Sequence, residues 1–292
     1  MSLRRSISLT AAAQVPTLIF GFLSGVWITR LLGEEGRGGY SLLQADVIFL
    51  SVLLCINLNS GLVYYLARDK ENKAEVVGVA ASALLLVAVL LSGVTAYAWF
   101  IGIPSNPLLP YPLNNFFFVS YLCFTIISTL SLSFFGGIFA GLRQFNVVNR
   151  MAIITAVLNF CVYGGLFLFL NRGTTEEKLM SVLLGAMAVL FILILIWLVH
   201  YIRYVRLVPI VFKRGSILKR MFGFSLISYL ALVLNQLNYR LDFWFLQDYK
   251  GVRELGLYAV GVGVAQILFQ VIEPLAQVLQ PHLINRDDMD ML

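Results

Sequence analysis

The chain has 292 residues, of which 60% are hydrophobic and 12% charged. That balance excludes a water-exposed globular fold, because a soluble domain of this length needs far more polar surface. The net charge of +6 comes from cations placed between apolar runs, so it fits basic loops beside a bilayer and no nucleic-acid partner is expected.

Lipid offers no partner to exposed backbone N–H and C=O groups, so apolar runs of about 20 residues read as spanning helices. The expected fold is all-α and polytopic, with about eight transmembrane helices at 7–32, 40–67, 75–101, 114–140, 148–170, 179–202, 221–247 and 255–282. Arg4 and Arg5 before the first run imitate a signal peptide. The run to Leu32 is too long for one, and the small residues Ala11 to Ala13 precede it rather than follow it, so it reads as an uncleaved helix. With the N-terminus in the cytoplasm, 14 Lys and Arg residues fall on the inner side and 6 on the outer. That bias supports the orientation.

Residues 1–202 thus form a six-helix N-terminal lobe. Residues 203–220 form a basic, amphipathic cytoplasmic linker in which Arg and Lys alternate with Leu207, Val208, Ile210 and Phe212, a composition suited to anionic lipid. Residues 221–292 form a partial C-terminal lobe of two helices. The stretch Trp27 to Leu43, WITRLLGEEGRGGYSLL, returns as Trp244 to Val260, WFLQDYKGVRELGLYAV. Each copy passes from a Trp through a charged, Gly-bearing turn to Gly-x-Tyr. The Trp-to-Tyr spacing is 13 in one copy and 14 in the other. Six helices between the copies make the repeat parallel, with its axis along the membrane normal, and four further helices are expected to complete the second lobe. Gly21-x-x-x-Gly25 and Gly137-x-x-x-Gly141 have the spacing of close-packed helix seams.

Thr29-Arg30-Leu31-Leu32-Gly33 followed by Gly-x-Tyr resembles the polysaccharide (O-antigen-type) flippases of the multidrug/oligosaccharidyl-lipid/polysaccharide exporter superfamily. Gly141-Leu142-Arg143-Gln144-Phe145-Asn146, Leu237-Asn238-Tyr239-Arg240-Leu241-Asp242 and Gly256-Leu257-Tyr258-Ala259-Val260 resemble the same family, as do Gln266 and Pro281. Glu34 departs from it, standing where members often carry Pro. The resemblance implies about twelve helices in two lobes around a central cavity. It implies outward movement of undecaprenyl-diphosphate-linked oligosaccharide by alternating access, in a bacterial or archaeal cytoplasmic membrane, beside other polysaccharide-assembly membrane proteins.

Intramembrane polar residues mark where such a path runs, because a charge at mid-bilayer costs about 2.5–3.5 kcal/mol and faces protein or water. Gln266, Gln270, Glu273, Gln277 and Gln280 recur at spacings of 4, 3, 4 and 3, along one helix face. With Asn235 and Asn238 they are the expected substrate path. Arg68, Arg143 and Arg150, at cytoplasmic helix ends, are placed to capture an anionic head group. Asp46 and Arg240 share a depth, one in each lobe, and are expected to pair as a gate, with Asp242 and Arg30 as rival partners; Asp46, Asp242 and Glu273 are also candidate ion-coupling sites. No phosphate-cradling loop and no His, Cys or carboxylate cluster of metal spacing is present, so neither catalysis, metal nor cofactor is expected. A cation-coupled multidrug-type exporter and a non-transporting membrane scaffold are the alternative readings.

Overall fold

The computed structural model describes residues 3–55, 58–67, 73–101, 115–170, 172–205 and 215–266; the side chains of residues 3–11, 58, 215–220, 222, 224, 227 and 228 lie outside that description. Among the described residues every regular element is helical: α1 (Leu3–Cys55), α2 (Leu58–Ala67), α3 (Lys73–Ile101), α4 (Phe116–Gly141), α5 (Phe145–Phe169), α6 (Thr175–His200), α7 (Gly215–Lys250) and α8 over 252–266. A π-helical turn, Tyr201–Val205, extends α6. Helix α7 starts at Gly215, so the last residues of the expected linker are already helical.

Five stretches among the described residues are long and apolar enough to cross a membrane: Ala12–Cys55, Lys73–Ile101, Phe116–Gly141, Phe145–Phe169 and Thr175–Val205. The first joins the expected span 7–32 to the opening part of the span expected at 40–67, whose last turns are α2. Helix α7 has 36 residues, enough to span, and part of its side chains lie outside the described residues. Many hydroxyls inside these helices donate to the carbonyl one turn back, as Thr17 does to Ala13 and Ser24 to Phe20, so those groups present no bare donor to lipid. Outward faces of α3, α5 and α6 expose Leu85, Val89, Phe169 and Phe191, the surface that lipid solvates.

Helix ends follow local chemistry. Asn115 accepts from the Phe118 amide to start α4. Thr174 and Glu177 form a reciprocal capping box at the start of α6. The α4–α5 turn closes on paired bonds from the Arg143 amide to Ala140 O and from the Gln144 amide to Phe139 O, with Arg143 at φ 58°, where glycine is usual.

The turn expected at Trp27–Leu43 is a single residue. Within α1, Gly33 alone leaves helical geometry, at φ 66° and ψ −169°, a conformation almost confined to glycine. Helices α7 and α8 part in the same way at Gly251, with φ 89°. From these two glycines onward the repeats are in register: Tyr40 and Tyr258 each follow by seven residues, and Gly38 and Gly256 each by five. The two breaks also meet. A Cβ on Gly38 would overlap the carbonyl of Val252, the residue after Gly251. A Cβ on Gly256 would overlap the carbonyl of Glu34, the residue after Gly33. The contact is therefore reciprocal, as a two-fold relation between the repeats requires. Arg253 and Glu34 add an exposed ion pair beside it, at 2.5 Å.

The first half, α1 to α6, packs chiefly through α1 against α5 and α4 against α2, α3 and α6. Trp27 lies in a notch at Gly164, where a Cβ would overlap its ring, and packs at a tilt on Phe160, ring centroids 4.3 Å apart. Only one of the two small-residue motifs is a seam. Gly137 abuts the Asn59 side chain and Gly141 abuts Leu66, so α2 side chains seat directly on the α4 backbone. Around Gly21 and Gly25 there is open space instead. The second half meets the first along α7, with the Tyr229 hydroxyl donating to Leu53 O and Ser225 lying against Gly61.

Candidate functional site: a cavity between the halves

Open space at Gly21 and Gly25 belongs to a cavity of about 430 Å³ between the first arm of α1 and α8. Leu18, Phe22 and Val264 give it apolar walls, and Thr29, Arg30 and Gln266 give it polar ones. A smaller cavity of about 110 Å³ lies between the second arm of α1 and helices α7 and α8. Arg37, Gly263 and Gln266 line both. Arg240 faces the smaller one, with Ser41 and Gln44 opposite. Among the described residues, the linings of the two cavities carry three arginines and no carboxylate.

Arg37 and Arg240 each have a buried Nε without a partner among the described residues. Each guanidinium lies over an aromatic ring three residues on: Arg37 over Tyr40 at 5.5 Å, Arg240 over Phe243 at 5.3 Å. Stacking holds a planar cation while leaving its N–H fork for a planar acceptor such as carboxylate or phosphate. One arginine comes from each half, and both line the smaller cavity.

Asp46 is fully buried and does not meet Arg240. Its Oδ1 accepts from the Trp244 indole N–H at 2.8 Å, one turn further along α7, and its Oδ2 has no partner among the described residues. Phe49 packs edge-on against the same indole at 5.0 Å. The opposite charges that depth alone would pair are thus served separately. Asp242 accepts from the Phe243 amide and the Tyr258 hydroxyl, both in its own half.

Among the other expected site residues, Gln266 lines the cavities, whereas Asn235 and Asn238 stand on α7 outside both linings. Gln270, Glu273, Gln277 and Arg68 lie outside the described residues. Arg143 and Arg150 stand at the α4–α5 turn and the start of α5, away from both cavities. Arg37 and Gln44 were not anticipated. Arg37 reads as a loop cation if the break is a turn; with a one-residue break it becomes a helical residue facing inward. A count of seven from Gly33 to the motif tyrosine, two full helical turns, was the available signal.

A helical bundle with a broken first helix, an internal repeat and a cavity between the halves is the fold of a polytopic membrane protein. Solved structures share it. The MATE multidrug transporter DinF-BH, solved as a ligand complex, superposes with a TM-score of 0.69 at 14% identity, covering 96% of this chain and 64% of that one. A MOP superfamily transporter from Pyrococcus furiosus, reported with a binding pocket of reversed polarity suggesting a different function, gives 0.62 at 15% identity, covering 96% and 64%. An outward-facing multidrug resistance MATE family transporter gives 0.63 at 14%, with the same coverage. The chain therefore spans about 64% of the length of the structures it resembles. No protein of curated function matches it in sequence. It belongs to the polysaccharide biosynthesis protein family, whose sequence pattern matches residues 3–285.

Proposed function

We propose that this multi-pass membrane protein exports undecaprenyl-diphosphate-linked oligosaccharide, in a bacterial or archaeal cytoplasmic membrane with its N-terminus inside. The observation that supports this reading is the charge of the inter-half cavity. Arg37 and Arg240 face it from opposite walls, each with an unpartnered Nε, and among the described residues no carboxylate lines it. A diphosphate between them gains charge-assisted bonds of about 1.5–3 kcal/mol each. Ser41, Gln44 and Gln266 offer neutral donors and acceptors suited to sugar hydroxyls. Alternating access would carry the head group past these walls while the polyprenyl tail stays in lipid. Other polysaccharide-assembly membrane proteins are the partners this reading calls for.

One observation favours a second reading, a cation-coupled exporter. Asp46 is a fully buried carboxylate with an open oxygen, a group able to take up a proton or a metal cation. The full-length protein in proteoliposomes separates the two. Under the first reading, Arg37→Gln and Arg240→Gln each cut translocation of a diphosphate-linked oligosaccharide roughly tenfold or more, a charge-assisted bond each. Gradient-driven efflux of an organic cation, abolished by Asp46→Asn and untouched by the arginine substitutions, would install the second.

A further inference from the structure

Between Glu75 and Asp242 the chain carries two carboxylates, Glu176 and Glu177, and both stand in the first turn of α6. The other end of that helix holds cations alone. Arg203 lies in its closing π-turn, and the linker sequence that follows adds Arg206, Lys213 and Arg214. Helix α4 ends and α5 begins on the same side of the bundle, which brings Arg143 and Arg150 there. One apolar cluster ties the three ends together: Phe135 and Phe139 of α4, Met151 of α5 and Trp197 of α6, with Tyr201 and Val205 packed against them.

The end of α6 also marks where the bilayer surface falls. Leu195, Val199 and Ile202 stand exposed along its last turns, and Arg203 and Tyr204 follow at once. A cation and a tyrosine that end a lipid-facing apolar stripe sit at headgroup level, stems in lipid and polar tips at the phosphates. Local contacts hold them there. His200 Nδ1 donates to Ile196 O at 2.9 Å, which ties its ring to the helix. That ring packs on Tyr204, centroids 5.7 Å apart, and the Arg203 guanidinium lies over the same tyrosine at 5.9 Å. The π-turn that carries both is a rare geometry, frequent at functional sites. We propose that Arg203 on Tyr204, with Arg150 from α5, binds the phosphate of an anionic phospholipid on the side that the proposed orientation places in the cytoplasm. A guanidinium stacked on a ring keeps its N–H fork for phosphate, and phosphate is what the bilayer presents at this depth. Arg150 lies away from both cavities, so a resident lipid accounts for it where cargo does not. Residues 206–214 lead from this turn to α7, so a lipid bound here fixes the point from which the connection between the halves departs.

The test is native mass spectrometry of the full-length protein released from nanodiscs of equal phosphatidylglycerol and phosphatidylcholine. The wild type is expected to retain phosphatidylglycerol in preference. Arg203→Gln and Arg150→Gln are each expected to cut that preference about fivefold, the worth of one cation at the membrane surface. Tyr204→Leu keeps every charge and the apolar bulk, and is expected to cut it about threefold by releasing Arg203 from its ring. Lys73→Gln removes a charge at the start of α3, outside the cluster, and is expected to leave it unchanged. Arg203 and Tyr204 are exposed, so these substitutions spare the packed core. A diffuse basic surface would respond to Lys73→Gln as much as to Arg203→Gln and not at all to Tyr204→Leu, and that pattern overturns the site. Equal retention of the two lipids by the wild type overturns it as well. Displacement of phosphatidylglycerol by an equal amount of undecaprenyl diphosphate would make this an entry point for cargo and overturn the phospholipid assignment, leaving the reading of the inter-half cavity untouched.

Discussion

The breaks at Gly33 and Gly251 are two copies of one device, alike on one side of the glycine and unlike on the other. After the glycine the repeats count identically, and their contacts are reciprocal: Gly38 on Val252, Gly256 on Glu34. Before it they differ by one residue, with Trp27 six positions ahead of Gly33 and Trp244 seven ahead of Gly251. One residue turns a helix by about 100°. Trp27 accordingly packs within its own half, into the notch at Gly164. Trp244 reaches the other half and bonds to Asp46. The residue at Trp27's register in the second copy is Phe245, which is 57% exposed. A repeated motif therefore keeps its function only where register is kept; a single inserted residue gives the same side chain a different partner.

The comparison breaks most readily at the shared contact. Gly38→Ala or Gly256→Ala drives a methyl into a backbone carbonyl that cannot rotate away, and each is expected to cost about 3 kcal/mol. A lowered unfolding midpoint of the full-length protein in detergent would show it, with Gly21→Ala, which enters open space, unchanged as control. Next come the breaks themselves. Gly33→Ala, at φ 66° and ψ −169°, is expected to cost about 2 kcal/mol by the same assay.

The unlike sides give a smaller effect. Trp244→Phe keeps most of the ring but leaves both oxygens of Asp46 unpartnered, an expected loss of about 1.5 kcal/mol. Trp27→Phe makes no such orphan and is expected to lose less; equal losses for the pair would deny the register argument. Smallest is Arg253→Ala. Its ion pair with Glu34 is exposed on both sides, 66% and 46%, so solvent screens it; the change is expected to move the unfolding midpoint least of all, and not at all at high salt.

Much of this was readable from residues. The membrane class follows from composition, and the repeat from WITRLLGEEGRGGYSLL and WFLQDYKGVRELGLYAV, including the one-residue offset. What the offset does was not readable, because its side of the glycine is a matter of backbone geometry. Gly33 illustrates the difficulty: a charged stretch with four glycines from Gly33 to Gly39 looks like a loop, yet only Gly33 leaves the helix. Reading a loop there placed Arg37 outside the membrane and hid an inward-facing cation. The partner of Asp46 was missed for an energetic reason. Matching opposite charges by depth favours Arg240, but a neutral indole N–H satisfies a buried carboxylate without burying a second charge, which spares one desolvation cost. The two small-residue motifs show the same limit, since spacing cannot tell whether a glycine admits a neighbouring helix or leaves a space empty.

The Asp46–Trp244 hydrogen bond joins α1 to α7 through one of only four indoles in the chain, the others being Trp27, Trp99 and Trp197. Any motion that parts those helices must break that bond and change the polarity around the ring. With the other three tryptophans replaced by phenylalanine, intrinsic fluorescence comes from a single emitter at the junction of the two halves. Its emission maximum then reports the separation of α1 and α7 in real time, without an attached dye.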